Sequence, residues 1–396
     1  MNWVHRLYRG LRKLFQCSFF RWDHLAVCLM VAIFGVIFEL VILKLSIFDV
    51  VAQAFKDFSM TDMYFEMHRS DNIAYDDDIV IVDMTEVSAR DTIAQALVDI
   101  KSCRPKVLVV DLIFANQNFD PMDDVALVNA IEGGDNLLLS CKLTDYSPSQ
   151  DVFRSCLRSF FSNSGTYEWA YSNVLQKWAG SCIREMTMYQ QLNDTIMYSL
   201  PYLAACQYQG KSPQRESMNV RKIMYDDTDF ITIKSNEVLQ HASLLKDKLV
   251  IFGTVHEEAD MHITPIGKMP GAKVLAYSAL TCLKHGQVKQ MSKVGSIVLA
   301  FLLCYLIAWA DYKIAKRHPV WGVQLIKLLA FLLAALLIWW AFRLFIVYDY
   351  HVSLLLPLVT IGVTETIRNW YKAFVIWLGK KTKWKFIRKS IYAGKG

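Results

Sequence analysis

Four long apolar segments constrain this chain more than any other feature. The first covers residues 25–48, and the others cover 293–310, 321–345 and 351–367. A helix rises about 1.5 Å per residue, so segments of roughly 17–25 residues can cross the hydrocarbon core of a bilayer. No small-x-small cleavage motif follows the first segment, which is also too long for a signal peptide. We therefore predict four transmembrane helices, one before and three after a central block of residues 49–292.

The charge distribution separates this central block from its flanks. The whole chain carries a formal charge of +6. Residues 52–290 contain 22 basic and 31 acidic side chains, whereas the remaining residues contain 21 basic and 6 acidic ones. The basic side chains thus accompany the membrane segments, as topology requires, and binding of nucleic acid is not expected.

The basic side chains also predict which side of the membrane each flank occupies. They are concentrated in residues 1–24, in the loop 311–320 and in the tail 368–396, which fall on one side if four helices alternate. The positive-inside rule makes that side the cytoplasm of a bacterial inner membrane, with both termini cytoplasmic and the main domain periplasmic. Residues 1–24 have the spacing of a basic amphipathic helix on a lipid surface, and a solvated basic flank is the alternative.

Charged residues inside the predicted membrane segments require partners, because isolated charges are unfavourable in a bilayer. Glu39 lies in the first segment, Lys327 and Arg343 lie in the third, and Glu365 lies in the fourth. Pairing of Glu39 with Arg343 and of Lys327 with Glu365 would join helices, and we predict both pairs. A proton or ion path along these side chains is the alternative.

Apolar strands alternate with helical patterns in the central block. Strands are predicted at 79–84, 107–113, 137–141, 230–234 and 248–253, and helices at about 87–102, 121–132 and 271–285. Fully apolar strands separated by helices indicate parallel strands covered on both faces. The second helix has a clear start, with Asp120 as N-cap and Pro121 at the first helical position. The predicted fold is an α/β domain with a parallel or mixed sheet and flanking helices.

Several motifs of this block resemble those of one family. They are IVIVDMTEVS, RPKVLVVDLIF, FDPMDDVALVNAI, LLKDKLVIFGT and DMHITPIGKMPGAKVLAYSALTCL. In this order the block resembles a CHASE domain of type 2, an extracellular sensory module associated with cyclases and histidine kinases. Such proteins have one membrane helix before the sensory domain, three after it, and then a cytoplasmic output domain. Residues 368–396 are too few for an output domain of that kind.

The resemblance implies an integral membrane sensor or receptor subunit. Its extracytoplasmic domain would sense a ligand or partner and relay the signal through the membrane helices to a separate protein. A structural or accessory subunit of an envelope complex is the alternative, and an exported hydrolase is a third hypothesis. We expect contact with lipid and with another membrane or envelope protein, a homodimer being a further option. We expect no enzymatic activity and no cofactor.

Candidate ligand-binding residues lie at strand ends and in one loop. Asp83 and Asp111 end apolar strands, at the edge where open α/β sheets bind ligands, and Glu86 follows Asp83. A carboxylate pair there could hold Mg²⁺, although the D-x-D-x-T phosphatase pattern is absent. Carboxylates that cap helices or connect loops are the structural alternative.

The loop HEEADMHITP adds Asp260, His262 and Thr264, which coincide with the loop signature of the resembled family. These residues are expected to fix the turn after the KLVIFG strand. His256, His262 and Asp260 are weaker candidates for Zn²⁺ or Mn²⁺, and we do not predict a metal site.

Residues 142–218 match the resembled family poorly and are predicted to be an insertion. Their aromatic residues could form a small core or a surface for a partner, and the sequence leaves both open. Cys156 and Cys182 both lie there and are candidates for a disulfide, which an export compartment permits. Cys103 and Cys282 are expected to be buried thiols.

Overall fold

The chain divides into two compact units. A computed structural model of the protein describes residues 21–37, 62, 65, 74–132, 136–162, 167–174, 181–215, 219–225, 227–285, 289–318, 321–348, 350–382, 384, 390 and 391. The helical unit comprises residues 1–58 and 289–396, and the sheet unit comprises residues 59–288.

The described helices and strands follow one another in the order of their labels within each class. The helices are α1 (Trp22–Ile37), α2 (Arg90–Ser102), α3 (Pro121–Ile131), α4 (Leu200–Gln209), α5 (Ala242–Leu245), α6 (Gly271–Lys284), α7 (Lys293–Arg317), α8 (Gly322–Tyr348) and α9 (Leu355–Lys381). The strands are β1 (Ala74–Asp83), β2 (Val107–Val110), β3 (Leu137–Ser147), β4 (Val152–Leu157), β5 (Glu168–Tyr171), β6 (Glu185–Thr187), β7 (Tyr189–Leu192), β8 (Thr195–Tyr198), β9 (Val220–Lys222), β10 (Thr228–Lys234), β11 (Leu249–Gly253), β12 (Met261–Thr264), β13 (Gly267–Pro270), β14 (Lys289–Gln290) and β15 (Tyr350–His351).

A mixed sheet forms the centre of the sheet unit. Its strand order is β10-β1-β11-β2-β3-β4-β7-β8, and β5 pairs with β3. Strands β10, β1, β11, β2, β3 and β5 are parallel, whereas β4 pairs antiparallel with β3 and β8 pairs antiparallel with β7. Strands β2 and β11 are buried along their whole length because they are apolar on both faces. The predicted α/β domain is confirmed, and its sheet is mixed.

Side chains of the central strands alternate between two packed faces. Val80 and Val82 of β1 lie in a buried cluster with Leu97 of α2 and Leu127 of α3. Ile79 points to the opposite face, because successive strand side chains alternate. On that face α4 and α6 pack against each other and against the sheet. Helices therefore cover both sides, as the apolar strands predicted.

The start of α3 is also as predicted. Asp120 has an extended backbone, and its side chain accepts a hydrogen bond from the Met122 N–H at 2.9 Å. This bond satisfies one of the N–H groups that have no acceptor within the helix, and Pro121 needs none.

Residues 142–218 are not a separate appendage. Strand β3 crosses the predicted boundary without a break, and α4 is buried against α6 and the sheet. Phe161 lies in the main core of the unit, whereas Tyr171 lies in a smaller cluster with Cys141. The aromatic residues of this segment thus complete the main core as well as a small core of their own.

In the helical unit, α1, α7 and α9 share one apolar cluster. Each helix contributes a buried residue to it: Val27, Cys304 and Ile367. Helix α8 packs against α7 through Leu337 and Ile307. Strands β14 and β15, which immediately precede α7 and α9 along the chain, pair in parallel.

Among the described residues, two helices are long and apolar enough to cross a membrane: α7, and α8 as far as Phe345. They correspond to two of the four predicted spans. Helix α9 covers most of the predicted span 351–367 but contains Glu365 and Arg368, whose charges lower its hydropathy. Helix α1 is apolar, yet its described part has 16 residues, and residues 38–48 lie outside the described ones.

Two buried carboxylates lie at the same end of the helical unit. Asp311, near the end of α7, forms an ion pair with Arg368 of α9, and both residues are more than nine-tenths buried. Asp23, at the start of α1, accepts hydrogen bonds from the Tyr371 hydroxyl at 3.0 Å and from the Ile391 N–H at 3.2 Å. The start of α1 and the later part of α9 are therefore joined.

One of the two predicted charge pairs is absent from the described residues. Lys327 is exposed on α8, Glu365 is half-buried on α9, and no ion pair joins these two described residues. The Arg343 guanidinium lies 5.8 Å from the ring centroid of Trp339. Its predicted partner Glu39 lies outside the described residues, so that pair stays a prediction.

Candidate ligand-binding site at the carboxyl edge of the sheet

Three central parallel strands end at one edge of the sheet. Strand β1 ends at Asp83, β11 ends at Gly253, and Asp111 directly follows β2. Because β11 lies between β1 and β2, the backbones of Asp83 and Asp111 are two strands apart, about 10 Å by the usual strand spacing. Magnesium binds its ligands at about 2.0–2.1 Å, so this spacing does not favour a Mg²⁺ ion shared by Asp83 and Asp111.

Asp83 connects the end of β1 to the loop after β11. Its carboxylate accepts hydrogen bonds from the N–H groups of Thr85 at 2.9 Å and Val255 at 3.1 Å. The Thr85 hydroxyl accepts further bonds from the N–H groups of Val255 and His256, both at 3.0 Å. Asp83 is 7% exposed. These contacts match the structural alternative, in which the carboxylate connects loops.

Glu86 and His256 are candidates that face solvent. The Glu86 carboxylate lies 3.0 Å from the Lys234 ammonium, and both side chains are more than half exposed. His256 Nε2 lies 3.7 Å from Asp83 Oδ2 on a largely exposed ring. The exposed Glu86–Lys234 pair therefore contributes little to stability.

Asp111, Asp260 and His262 come together at the start of α6. Asp260 Oδ1 lies 3.3 Å from His262 Nε2. Asp260 Oδ2 accepts a hydrogen bond at 3.1 Å from the N–H of Gly271, the first residue of α6. Asp111 lies close enough to respond to the charges of both residues. We call these three side chains the edge cluster.

A hairpin and a glycine build this cluster. Strands β12 and β13 pair Met261 with Pro270, which places Asp260 beside Gly271. A Cβ at position 271 would lie 2.5 Å from Asp260 Oδ2, so only glycine allows the close contact. The first N–H groups of a helix carry partial positive charge, which stabilises the Asp260 carboxylate there.

Asp111 is the titratable centre of the edge cluster. Its pKa is raised to about 6, first by burial and second by the negative charge of Asp260. The nearby side chains of Ser140 and Ser172 and the charge of His262 act on this pKa in the opposite direction. A carboxyl group with this pKa changes charge at about pH 6, so the charge of the edge cluster depends on pH in this range.

The described residues contain no group of three or more His, Cys, Asp or Glu side chains that could hold a metal ion. Two of the weak metal candidates, Asp260 and His262, pair with each other, while His256 lies beside Asp83. The carboxylates and imidazoles of this edge are therefore better suited to bind a ligand through hydrogen bonds and charge than to hold a metal ion.

Comparison with known families now identifies this architecture. The family model of the CHASE2 domain matches residues 27–310. The chain belongs to the CHASE2 domain family. CHASE2 domains are extracellular sensory domains, and the match begins within α1, includes the whole sheet unit and ends within α7. No curated protein and no solved structure matches the chain.

In this CHASE2 domain, Thr264 has a structural place. It is 4% exposed, and its hydroxyl donates a hydrogen bond to the Gly267 carbonyl at 2.6 Å within the β12–β13 turn. Gly267 has a φ of +115°, which side chains with a Cβ rarely adopt. Thr264 therefore shapes the hairpin that brings Asp260 to α6, as the sequence signature led us to expect of this turn.

Sequence reasoning missed three residues of the CHASE2 edge cluster. Ser140 and Ser172 interact with Asp111 from β3 and from the end of β5, and Gly271 opens α6. Ser140 follows the apolar run of β3 as Asp111 follows that of β2, so the strand-end rule could have found it. Ser172 lies in the poorly matching segment and carried no signal.

No disulfide joins the two candidate residues Cys156 and Cys182. Cys156 lies on β4 in contact with Cys141, whereas Cys182 lies near Tyr225. The structure therefore does not support the predicted Cys156–Cys182 bridge. Cys103 is buried as expected, and Cys282 is half-buried.

Replacing Asp111 with Asn should stabilise the sheet unit at alkaline pH. Because the pKa of Asp111 is raised, the folded state binds a proton more tightly than the unfolded state, so the free energy of unfolding falls as pH rises from about 4 to about 6. Asp111→Asn should remove this fall and raise the free energy of unfolding at pH 8 by about 1–2 kcal/mol, with little change at pH 4. Denaturant unfolding at the two pH values measures it, and a fall unaltered in the variant would contradict the assignment.

Proposed function

We propose that this protein is an integral membrane sensor subunit without catalytic activity of its own. Its extracytoplasmic CHASE2 domain senses a ligand or protein partner at the edge cluster. The response passes through the membrane helices to a separate protein that provides the output. The observation that carries this proposal is the position of α6, which begins at the edge cluster and ends shortly before α7 along the chain.

Helix α6 is fixed to the sheet along its length, so it can transmit a displacement as a rigid element. The Lys273 ammonium lies 2.9 Å from the Asp229 carboxylate, and the Tyr277 hydroxyl donates to the Thr228 carbonyl at 2.5 Å. At the last turn, Lys284 forms an ion pair with buried Asp76 at the beginning of β1. A displacement of the first turn of α6 at Asp260 would therefore also move its last turn, where the chain continues toward α7.

The proposed topology has four membrane helices, with both termini in the cytoplasm of a bacterial inner membrane. It rests on the apolar segments, on the clustering of basic residues in the flanks and on the direction of the helices. The start of α1 lies beside the later part of α9, and Asp311 near the end of α7 pairs with Arg368 of α9. These ends adjoin the three basic stretches that the positive-inside rule assigns to one side.

Hydrogen exchange of the purified full chain in mild detergent tests the relay, with the proton as probe. Exchange is measured at about pH 5 and about pH 8, on either side of the Asp111 pKa, with times scaled for chemical exchange. We expect changed protection in the first turn of α6 and in the first turns of α7. Both changes should disappear in Asp111→Asn. The matched control is Glu258→Gln, which removes an exposed carboxylate from the same loop and should respond like the wild type.

A response confined to α6 would reject the relay, and no response in either helix would reject the edge cluster as the sensing site. Purification from native membranes tests the remaining step, because a stoichiometric cytoplasmic partner is expected. Its absence would contradict a separate output protein.

A second candidate function is that of a structural or accessory subunit of an envelope complex. One surface of the CHASE2 domain favours it: Phe119, Met122 and Val125 are 103%, 70% and 50% exposed at the start of α3. Exposed aromatic and Met side chains are frequent anchors of protein interfaces. Loss of a co-purifying envelope protein in Phe119→Ser, together with no relay response in hydrogen exchange, would select this function over sensing.

A further inference from the structure

A cysteine pair lies where β4 joins the sheet. The antiparallel register places Leu143 of β3 opposite Cys156 of β4, so Cys141, two residues earlier on β3, points to the same face. Cys141 belongs to a small buried cluster with Tyr171 and Met197, and Cys156 packs against this cluster. The two thiols are close enough for each to change the pKa of the other. Cys141 is fully buried, whereas Cys156 is part-exposed.

Cys156 lines an open cleft of about 520 Å³. Arg154 and Arg158 line the same cleft, so its wall is basic. The Arg158 guanidinium also lies 5.7 Å from the ring centroid of Trp169, a contact that positions it near the cysteine pair. A small anionic reagent can therefore reach Cys156, while Cys141 lies behind it.

This environment gives the two thiols different chemistry. The neighbouring Cys141 thiol and the positive charge of Arg158 lower the pKa of Cys156. The neighbouring Cys156 thiol and burial raise the pKa of Cys141. The thiolate is the nucleophile in thiol–disulfide exchange, so Cys156 is the attacking residue and Cys141 is the resolving one.

We propose that Cys141 and Cys156 are a redox pair that closes to a disulfide between β3 and β4 outside the membrane. The oxidant is a disulfide compound. The Cys156 thiolate attacks one of its sulfurs, forms a mixed disulfide and releases the first thiolate. Cys141 then attacks Cys156 Sγ, and its proton passes to the second thiolate as this group leaves. The first released thiolate also takes up a proton, so two protein thiols are oxidised as one disulfide is reduced.

The fold permits this closure. Cys141 and Cys156 are diagonal positions in the ladder, where Cα atoms are typically about 7–8 Å apart. Closing a disulfide there requires β4 to shift along β3, which shortens this separation. Strand β4 is paired with its other neighbour β7 at only one register position in the described structure, Phe153 with Leu192, so that side offers little resistance. The pair is independent of the proposed sensing role, since it lies on β3 and β4 and not at α6.

Peptide mapping of the full chain tests the pair. The chain is purified in mild detergent, reduced, and incubated with glutathione disulfide as the probe; remaining thiols are then alkylated. Trypsin cleaves after Lys142 and Arg154, so a Cys141–Cys156 bond appears as two linked peptides, lighter by two hydrogen atoms than the separate ones. We expect this product as the main disulfide.

Three variants keep the proposal falsifiable. Cys156→Ser should abolish the linked peptides, whereas Cys182→Ser should retain them. Cys141→Ser should leave Cys156 as a stable mixed disulfide with glutathione, because the resolving thiol is missing, and a misfolded chain would not give this site-specific product. A Cys156–Cys182 product, or full alkylation of Cys141 and Cys156 in the oxidised wild type, would overturn the pair.

Discussion

Asp311→Ala is expected to destabilise the helical unit by about 3–5 kcal/mol, the usual effect of removing one partner of a buried ion pair. Asp311 is 1% exposed and Arg368 is 7% exposed, so the remaining guanidinium would lose its carboxylate in a site that water barely reaches. The pair also joins α7 to α9, so its loss should loosen the contact between these helices. Unfolding of the purified full chain by denaturing detergent, followed by circular dichroism, measures the effect.

Two variants separate the ion pair from the general effect of charge. Glu365→Gln alters a half-buried carboxylate one turn before Arg368 and should cost less than about 1 kcal/mol. The double replacement Asp311→Leu with Arg368→Met removes both charges and should recover most of the lost stability. If Asp311→Ala is no more harmful than Glu365→Gln, the pair does not hold the helices together.

The Asp311–Arg368 pair shows that hydropathy does not predict where a membrane helix ends or which of its charges are paired. The predicted membrane segment 293–310 ends just before Asp311, so the sequence placed Asp311 in a loop, whereas α7 continues to Arg317. A charge ends a hydropathy window, but a paired charge need not end a helix. Which residues pair depends on how each helix is rotated against its neighbours, and that is decided by packing.

The sheet unit was more predictable because its strands are apolar on both faces and its helices are amphipathic or capped. The order of the strands in the sheet could not be predicted from the sequence, because β11 comes late in the chain yet lies between β1 and β2. This position of β11 separates Asp83 from Asp111 and gives Asp83 a structural role. The strand-end rule still located Asp111, and the loop signature located Asp260 and His262.

Strand register also explains why Cys156 lies close to Cys141 and not to Cys182. Cys156 and Cys182 share a stretch of sequence, which was the reason for pairing them. The antiparallel register of β3 and β4 instead brings Cys141 to Cys156 from outside that stretch. Nearness in sequence therefore did not predict which cysteines lie close together. The pairing of β3 with β4 decides this, and that pairing cannot be derived from the local sequence pattern.

Asp76→Ala is expected to destabilise the sheet unit by about 2–4 kcal/mol, because it removes an ion pair and two hydrogen bonds in a buried position. Asp76 is 2% exposed and accepts hydrogen bonds from the N–H groups of Asp78 at 2.8 Å and Ile79 at 3.0 Å. Its other oxygen pairs with Lys284, the last residue of α6. Hydrogen exchange of peptides from β1 and α6 in the full chain measures the loss.

Comparing the stability losses of three variants distinguishes the Asp76–Lys284 ion pair from a general effect of removing a charge. Asp77→Ala removes an exposed neighbouring carboxylate and should have almost no effect. Lys284→Met keeps the aliphatic stem but leaves the Asp76 carboxylate buried beside its two N–H donors. Its loss of stability should therefore lie between those of Asp76→Ala and Asp77→Ala. Because Asp76 lies where the chain begins β1 and Lys284 where it leaves α6, Asp76→Ala should also weaken protection at the last turn of α6 more than at its first. Equal effects of Asp76→Ala and Asp77→Ala would show that this contact does not hold the end of α6.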